Sequence, residues 1–410
     1  MKEQVSTSFT RNAHKALCGG DGFGGKVTRT FVLKLFCNLI IFGTITMQNA
    51  QASDNNGYLD NEKLSRSFSN SHCITELAWS PDQSKIAVRG IGQAYLWDVV
   101  NDEQLWNARG TQSNYTGLAI SPDNQYFIMP SSGEALPGHP DTDAKDAALT
   151  LLPTVESDSP IPKYIKDPGY GGGLYKYVEA FSLSPDGKLA AAVDGSSGGW
   201  TTIYDTKTWQ PIKHIGQFKN PWGIVVNPTK LILDSARKLL IGAYVTGDVQ
   251  VWNYEKNTKV SQFQISQDSL QAIALNPING EIVTSRHADP LMRFPNGYTV
   301  GVPDDNANAD DLVKAWNPST GKLIRSYPGT KYDVHYISVS PDGHYIAGTE
   351  GGSRIGVRLH LWNAATGALL KTIEYSSFNG LSPVQFSPDS RQLAVGNDDE
   401  VHIYDLTNNP

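Results

Sequence analysis

Oxygen-bearing side chains alternate with other residues in one stretch of the C-terminal half of the sequence. Asp304, Asn306, Asn308 and Asp310 occupy every second position, and Ca²⁺ in proteins takes roughly six to eight oxygen ligands of these types. A complete calcium loop has glycine at the position that Ala309 occupies. We therefore interpret the stretch as a solvated acidic loop, with a calcium site as the alternative, and predict no other cofactor.

Side chains suited to recognition accompany this acidic stretch. His287, Arg293 and Tyr298 lie in the same long segment and offer a titratable ring, a permanent cation and an aromatic hydroxyl. His139 lies in an earlier long segment that also carries several aspartates. Zinc held by His139 or His287 with nearby carboxylates is an alternative, but the spacing has no zinc-ligand signature. We predict that these four residues bind a ligand or partner.

Several common catalytic motifs are absent. The sequence contains no His-Glu-x-x-His zinc motif and no Gly-x-x-x-x-Gly-Lys-Ser/Thr phosphate loop. No Cys-x-x-Cys-His is present, which excludes covalently attached haem. We predict no catalytic residue, and a binding role is favoured over an enzymatic one.

Charge is unevenly distributed along the chain. Residues 1–52 contain six basic and two acidic residues, so the remainder has 34 − 6 = 28 Lys and Arg against 41 − 2 = 39 Asp and Glu, a net charge of −11. An acidic protein repels phosphate backbones. General nucleic-acid binding is therefore not expected.

The N-terminal segment has the features of a secretory signal preceded by an overlong leader. Arg29 and Lys34 precede an apolar run over residues 35–47, which is short for a membrane span. The Ala-Gln-Ala sequence at 50–52 offers a cleavage site. We predict that residues 1–52 are removed, with an uncleaved membrane anchor as the alternative.

Cleavage would leave a single domain over residues 53–410. That part of the chain contains only one cysteine, Cys73, and so cannot form an internal disulfide. A domain of this size does not need one. We expect a periplasmic or secreted protein without a stable membrane anchor after cleavage.

One phrase recurs seven times and predicts the fold. A short apolar strand is followed by Ser-Pro or Asn-Pro, often by Asp, and then by a second apolar strand. The spacings run from 121 − 80 = 41 to 340 − 276 = 64 residues, which fits propeller blades interrupted by two long excursions. The first residue of each turn is Ser80, Ser121, Ser184, Asn227, Asn276, Ser340 or Ser387.

Six units continue with a third strand that ends in an aromatic residue and Asp or Asn, and a turn and a fourth strand usually follow. Trp97-Asp98 and Trp316-Asn317 are examples. The last unit has no fourth strand, whereas residues 61–70, before the first unit, match the fourth-strand phrase. We therefore predict an all-β, seven-bladed β-propeller of four-stranded blades, closed by an N-terminal strand that completes the last blade.

The connections between second and third strands and between blades share one face, which we call the top face. Both long segments, 133–146 and 286–311, are predicted on this face, where loops on a rigid scaffold commonly bind. The position five residues before each turn should surround the channel mouth. Glu179, Trp222 and His335 occupy it, and with the neighbouring Tyr336 they are predicted contact residues; packing beneath the long loops is the alternative.

The repeats over residues 58–410 resemble those of bacterial WD40-like seven-bladed propellers. The Ser-Pro-Asp-Gly turn at 184–187 is similar to that of PD40-type repeats, and the sequence at 243–247 resembles the YVTN phrase. The resemblance implies a scaffold that binds a protein or peptide through its top face, and we expect a monomer. The alternative is an enzyme of the lactonase or quinoprotein amine dehydrogenase-like type, with a metal or a His and carboxylate cluster at the channel mouth.

Overall fold

A computed structural model describes most of the C-terminal part of the chain. The chain divides into two units, residues 1–56 and 57–410, and all described residues belong to the second. The predicted signal segment therefore lies outside the described residues. Within the described ranges, no helix has the length and apolar character needed to cross a membrane. These ranges are 59, 62–67, 73–111, 117–131, 147–157, 161–166, 178–194, 200–215, 227–244, 246–265, 270–286, 291–293, 299–301, 312–352, 356–375 and 382–406.

Thirty β-strands form seven four-stranded antiparallel sheets and one two-stranded hairpin in the described part. The N-terminal strand and the first three blades contain β1 (Glu62–Ser67); β2 (Ile74–Trp79), β3 (Lys85–Gly90), β4 (Gly92–Asp98) and β5 (Glu103–Thr111); β6 (Ala119–Ile120), β7 (Tyr126–Pro130), β8 (Ala147–Pro153) and β9 (Lys163–Lys166); and β10 (Val178–Leu183), β11 (Leu189–Asp194), β12 (Thr201–Asp205) and β13 (Gln210–Ile215).

The remaining blades follow the same order, with one interruption. They contain β14 (Lys230–Asp234), β15 (Leu239–Ala243), β16 (Asp248–Asn253) and β17 (Thr258–Gln264); β18 (Leu270–Leu275), β19 (Ile282–Arg286), the hairpin β20 (Leu291–Arg293) and β21 (Thr299–Gly301), β22 (Val313–Trp316) and β23 (Leu323–Tyr327); β24 (Val334–Val339), β25 (Tyr345–Gly352), β26 (Gly356–Asn363) and β27 (Leu369–Tyr375); and β28 (Val384–Phe386), β29 (Gln392–Asn397) and β30 (Glu400–Asp405).

The N-terminal strand completes blade seven, as the sequence predicts. The sheet order of that blade is β1-β30-β29-β28. Strand β1 pairs antiparallel with β30, with Leu64 opposite Ile403 and Ser67 opposite Glu400. The molecule is a seven-bladed β-propeller. Because both ends of the described chain contribute to one sheet, the ring has no gap between its first and last blades.

Both faces of each inner strand are buried, each against a different neighbour. In β2, Leu77 packs in a cluster with Val401 and Ile403 of blade seven. The next residue, Ala78, packs in a cluster with Phe127 of blade two. This alternation follows from the period of two along a strand. It explains why the inner strands are apolar at nearly every position.

The turn between the first and second strands is held by a serine–aspartate pair. In five blades the serine hydroxyl donates to the aspartate two residues later, at 2.5–2.7 Å, as in Ser184 and Asp186. The same hydroxyl accepts the backbone N–H five residues later at 2.9–3.0 Å. Burial raises the pKa of Asp186, but hydrogen bonds from Ser184, Ser235 and Lys188 outweigh it and leave that pKa below its usual value.

The residue that ends the third strand also caps a turn. Asp98 accepts the N–H groups of Val100 and Asn101 at 2.9 Å, and Asn363 accepts those of Ala365 and Thr366 at 2.9–3.0 Å. Both are Asx-type turns, which need only a side-chain oxygen. Asp and Asn are therefore equivalent here, which explains why Trp-Asp and Trp-Asn alternate among blades.

The sequence prediction is wrong about the first strand of blade four. It placed Asn227 at the turn, whereas the structure places β14 after Asn227 and puts the turn at Asp234. Asp234 replaces the usual serine: its Oδ1 accepts the N–H of Arg237 at 3.1 Å, and Lys238 takes the left-handed conformation at φ 61°. Trp222 therefore does not occupy the position five residues before the turn, and Thr229 does.

The two long segments connect second and third strands, as predicted. One separates β7 from β8 in blade two, and the other separates β19 from β22 in blade five and contains the β20–β21 hairpin. Because neighbouring strands are antiparallel, these connections lie at the end of the blade opposite the serine turns. That end is the top face, and residues 132–146, 287–290, 294–298 and 302–311 of these segments lie outside the described residues.

Replacing Gly187 with alanine is expected to lower the free energy of unfolding by about 3 kcal/mol. Its φ of 69° costs an L-residue about 1–2 kcal/mol, and an added Cβ would press against Pro122 of the neighbouring blade. Gly92 is the matched control, because its φ is 71° and a Cβ there would meet nothing within 4 Å. Urea denaturation should show a loss of only about 1 kcal/mol for Gly92→Ala; equal losses would contradict the contact between blades.

Candidate functional site

Most of the residues predicted from the sequence to bind lie outside the described residues. Arg293 ends strand β20, and its side chain is not described. Glu179, His335 and Tyr336 are described with their side chains. The predicted residues outside the description are Trp222, His139, His287, Tyr298, Asp304, Asn306, Asn308 and Asp310.

A cavity of about 270 Å³ lies on the axis, where the inner strands of the seven blades converge. All seven blades contribute the residue three before the turn, and each of these side chains is apolar. Five blades add the residue before it, which is nearer the top face, and blade seven also adds Gln385. The lining consists of Glu76, Leu77, Gly117, Leu118, Phe181, Lys230, Leu231, Ile273, Tyr336, Ile337, Pro383, Val384 and Gln385.

Lys230 brings a positive charge into this cavity. It is the first residue of β14, and it is half-buried and lines the cavity. Burial lowers the pKa of the Lys230 ammonium, the carboxylate of Glu76 opposes that shift, and the positive charge of Arg89 adds to it. Among the described residues, the ammonium group makes no ion pair. A charge that is partly removed from water and has no partner destabilises the folded protein.

Glu76, by contrast, is well neutralised. It lies opposite Arg89 in the β2–β3 ladder, and its Oε2 is 2.6 Å from Arg89 Nη2, with the Arg89 side chain only 1% exposed. The other oxygen, Oε1, accepts the backbone N–H of Gly117 from blade two at 2.7 Å. Glu76 therefore joins blades one and two and is paired with Arg89, whereas Lys230 makes no ion pair among the described residues.

Glu179 lies beside the cavity and does not form part of its lining. It is the extra residue of a bulge at the start of β10, and a bulge redirects the side chain out of the regular ladder. Its Oε2 accepts a hydrogen bond from Asn227 Nδ2 at 3.0 Å. Burial raises the pKa of Glu179 above its usual value, although the bond from Asn227 partly offsets this.

His335 is the extra residue of the corresponding bulge in blade six, and Tyr336, which follows it, pairs with Thr349. The side chain of Tyr336 lines the cavity. His335 Nε2 donates to the backbone oxygen of Gly351 at 3.2 Å, so the ring is held against the end of strand β25. The structure thus brings Tyr336 to the channel and keeps His335 and Glu179 next to it.

A buried carboxylate fixes the top of blade six. Glu350 is 1% exposed, and its Oε1 accepts the backbone N–H groups of Lys331 and Tyr332 at 2.8 and 2.7 Å. Its Oε2 is 2.6 Å from His360 Nε2, and His360 Nδ1 is 3.0 Å from Thr372 Oγ1. This chain of hydrogen bonds ties the connection that enters blade six to strands β25, β26 and β27.

The same connection presents an aromatic residue on the top face, next to a cation of strand β26. Tyr332 lies under the guanidinium group of Arg358, with 5.9 Å between that group and the ring centre. Arg358 also pairs with Glu374 at 3.0 Å and lies 3.7 Å from Glu350. We call Tyr332, His335, Tyr336 and Arg358 the blade-six surface. Tyrosine and arginine are the residue types that most often dominate binding energy in protein interfaces.

Lys230, Glu76, Arg89 and Glu350 were missed by the sequence analysis. Two of them could have been identified from the sequence, because Glu76 and Lys230 both lie four residues before a turn. Lys230 was missed because the turn of blade four was predicted at the wrong position. Arg89 and Glu350 lie in the second strands of their blades, and period-two alternation does not predict a buried charge there.

In the described ranges, no group of three or more His, Cys, Asp and Glu side chains is placed to hold a metal ion. The sequence Gly-Ser-Ser-Gly-Gly at 195–199 matches the spacing of a nucleophile elbow. It connects β11 and β12, two paired strands of one blade, whereas a nucleophile elbow needs a turn from a strand into a helix.

Comparisons with known proteins give partial matches. No family model matches the chain. The chain is 25% identical over 170 residues to protein hir1 of Schizosaccharomyces pombe, a match that covers 41% of this chain and 17% of that protein. It is 24% identical over 131 residues to protein HIR1 of Eremothecium gossypii, covering 32% and 15% respectively.

The chain thus spans less than a fifth of the length of these relatives. Together with the seven four-stranded blades, the matches support a WD40-repeat propeller. The narrower resemblance to bacterial PD40 and YVTN repeats stays a prediction from the sequence.

Proposed function

We propose that this propeller is a protein-binding scaffold whose contact surface lies on the top face, centred on blade six. The observation that carries the proposal is the Glu350 network, which fixes the connection bearing Tyr332 to three strands of the blade. A fixed aromatic residue under an arginine loses little conformational freedom when a partner binds. The partner is a protein or peptide.

Two further features support this role. The blade-six surface adjoins the channel mouth, because Tyr336 lines the cavity while Tyr332 and Arg358 lie outside it. The acidic mature chain disfavours nucleic acid as the partner. A catalytic role has no specific observation behind it in the described part of the chain.

We also propose that the chain is exported, and that it acts in the periplasm or after secretion. Support comes from the composition of residues 1–52, with basic residues before an apolar run and an Ala-Gln-Ala sequence at its end. Export and partner binding are separate proposals, and one experiment with two readouts distinguishes them.

The experiment places a photo-cross-linking residue at position 332 in the full chain expressed in living bacteria. The matched control places it at Ile278, which is 65% exposed in the turn of blade five at the opposite end. We expect cross-linked protein from position 332 in at least about tenfold excess, reduced by the Arg358→Ala substitution. Recovered protein should begin at Ser53 and appear outside the cytoplasm.

Equal cross-linking at both positions would contradict a top-face binding surface. Recovery of the protein with an intact N-terminus, and only in the cytoplasm, would contradict export. It would not change the interpretation of the cross-linking result.

A further inference from the structure

The axial cavity contains one charge that the protein does not neutralise. Glu76 forms an ion pair with Arg89 at 2.6 Å and accepts the N–H of Gly117 at 2.7 Å. Lys230 makes no ion pair within the described ranges, although it lies in the same cavity lining as Glu76. Water can solvate this ammonium group but cannot cancel its charge, whereas an anion in the cavity can do both.

The remainder of the lining defines the rest of the ligand. A ring of seven apolar side chains, one from each blade, encircles the cavity next to Lys230. The cavity holds about 270 Å³, and an apolar cavity of about 150 Å³ is large enough for benzene. One ring or branched aliphatic group therefore fits together with a carboxylate, but a bulkier molecule does not.

The position of Lys230 also indicates how such a ligand enters. It stands four residues before the turn of β14, so it lies nearer the top face than the apolar ring does. Tyr336 and Glu76 occupy the same level in blades six and one. A ligand that enters from the top face meets the cation first and places its apolar part deeper along the axis.

We infer that the axial cavity binds a carboxylate with a compact apolar body and that Lys230 is its cationic anchor. The carboxylate belongs either to a free small acid or to the C-terminal residue of a peptide that ends in an apolar side chain. This inference is independent of the blade-six surface, since neither Tyr332 nor Arg358 takes part.

Calorimetric titration with phenylacetate and with its neutral isostere phenylacetamide tests the inference. We expect the wild-type protein to bind phenylacetate at least tenfold more tightly than the amide. Lys230→Met should weaken phenylacetate binding at least tenfold and leave amide binding unchanged. Lys188→Met, which removes an 81% exposed lysine at a turn of the opposite face, is the matched control and should change neither affinity.

A tripeptide ending in a free phenylalanine, compared with its C-terminal amide, distinguishes the two sources. Binding of the free acid or of the peptide carboxylate, lost in Lys230→Met, supports the inference and identifies the source. Equal affinity for the charged and neutral probes, or no binding of either carboxylate at millimolar concentration, would overturn it. If Lys230→Met does not fold, the comparison of charged and neutral probes on the wild-type protein decides.

Discussion

A chain that lacks residues 58–70 is expected to unfold at a markedly lower urea concentration than the complete propeller, with a loss of about 5 kcal/mol or more. Strand β1 pairs with β30 over five registered positions, and each net hydrogen bond contributes about 1 kcal/mol. The deletion also removes Leu59, which is 3% exposed in the core shared by blades six and seven. Losing a buried leucine costs about 2–5 kcal/mol.

Two controls separate ring closure from a local effect. Truncation after Leu406 removes only residues 407–410 and keeps all four strands of blade seven, so it should leave the midpoint unchanged. Leu59→Ala measures the packing contribution of that residue alone. An unchanged midpoint for the deletion, followed by tryptophan fluorescence, would show that β1 does not close the ring.

Glu350→Ala is expected to lower the free energy of unfolding by about 4 kcal/mol. The substitution leaves the backbone N–H groups of Lys331 and Tyr332 without their acceptor, along with His360 Nε2. Each buried polar group without a partner costs about 1–3 kcal/mol. Urea denaturation measures the loss, and amide hydrogen exchange at Lys331 and Tyr332 should accelerate more than exchange in the other blades.

Two variants calibrate this result. Glu350→Gln keeps an oxygen for the two N–H groups and should cost only about 1 kcal/mol. Glu374→Ala removes the other carboxylate beside Arg358, which is 73% exposed, and should cost less than about 0.5 kcal/mol. If alanine at position 350 is no more disruptive than alanine at position 374, Glu350 does not hold the top of blade six.

The architecture could be predicted because its signals are local and repeated. The Ser-Pro-Asp turn and the aromatic residue followed by Asp or Asn both act within a few residues, through Asx-type hydrogen bonds that the sequence specifies directly. The missing fourth strand of blade seven and the unmatched strand at 62–67 could be paired by counting.

Blade four shows where such reasoning fails. Asn227-Pro228 has the composition of a turn, and an apolar run precedes it, whereas the true turn at Asp234 has no proline. The two candidates differ by seven residues, an odd number, so the wrong choice also exchanges the two faces of the strand. Asn227 lies instead at the top, bonded to Glu179.

The candidate site was only partly predictable for a different reason. Tyr336 was identified because it neighbours His335, which stands five residues before the turn of blade six, and the structure places it in the cavity lining. The significance of Lys230 depends on Glu76 and Arg89, which are about 140–150 residues away in the chain. A charge balance across a ring is a property of the closed structure, and no local pattern encodes it.

The pairing of β1 with β30 also affects the rate of folding. Glu62 lies opposite Tyr404, so the contact that closes the ring joins residues 404 − 62 = 342 positions apart. A contact of such long range cannot form until nearly the whole chain is present, and the entropy of closing so large a loop delays it further. Six blades can assemble from neighbours in sequence, but the seventh needs both ends. The first and last strands of the described chain therefore lie side by side in one sheet. A linker between these two strands, with the chain opened between two other blades, is expected to preserve every strand pairing.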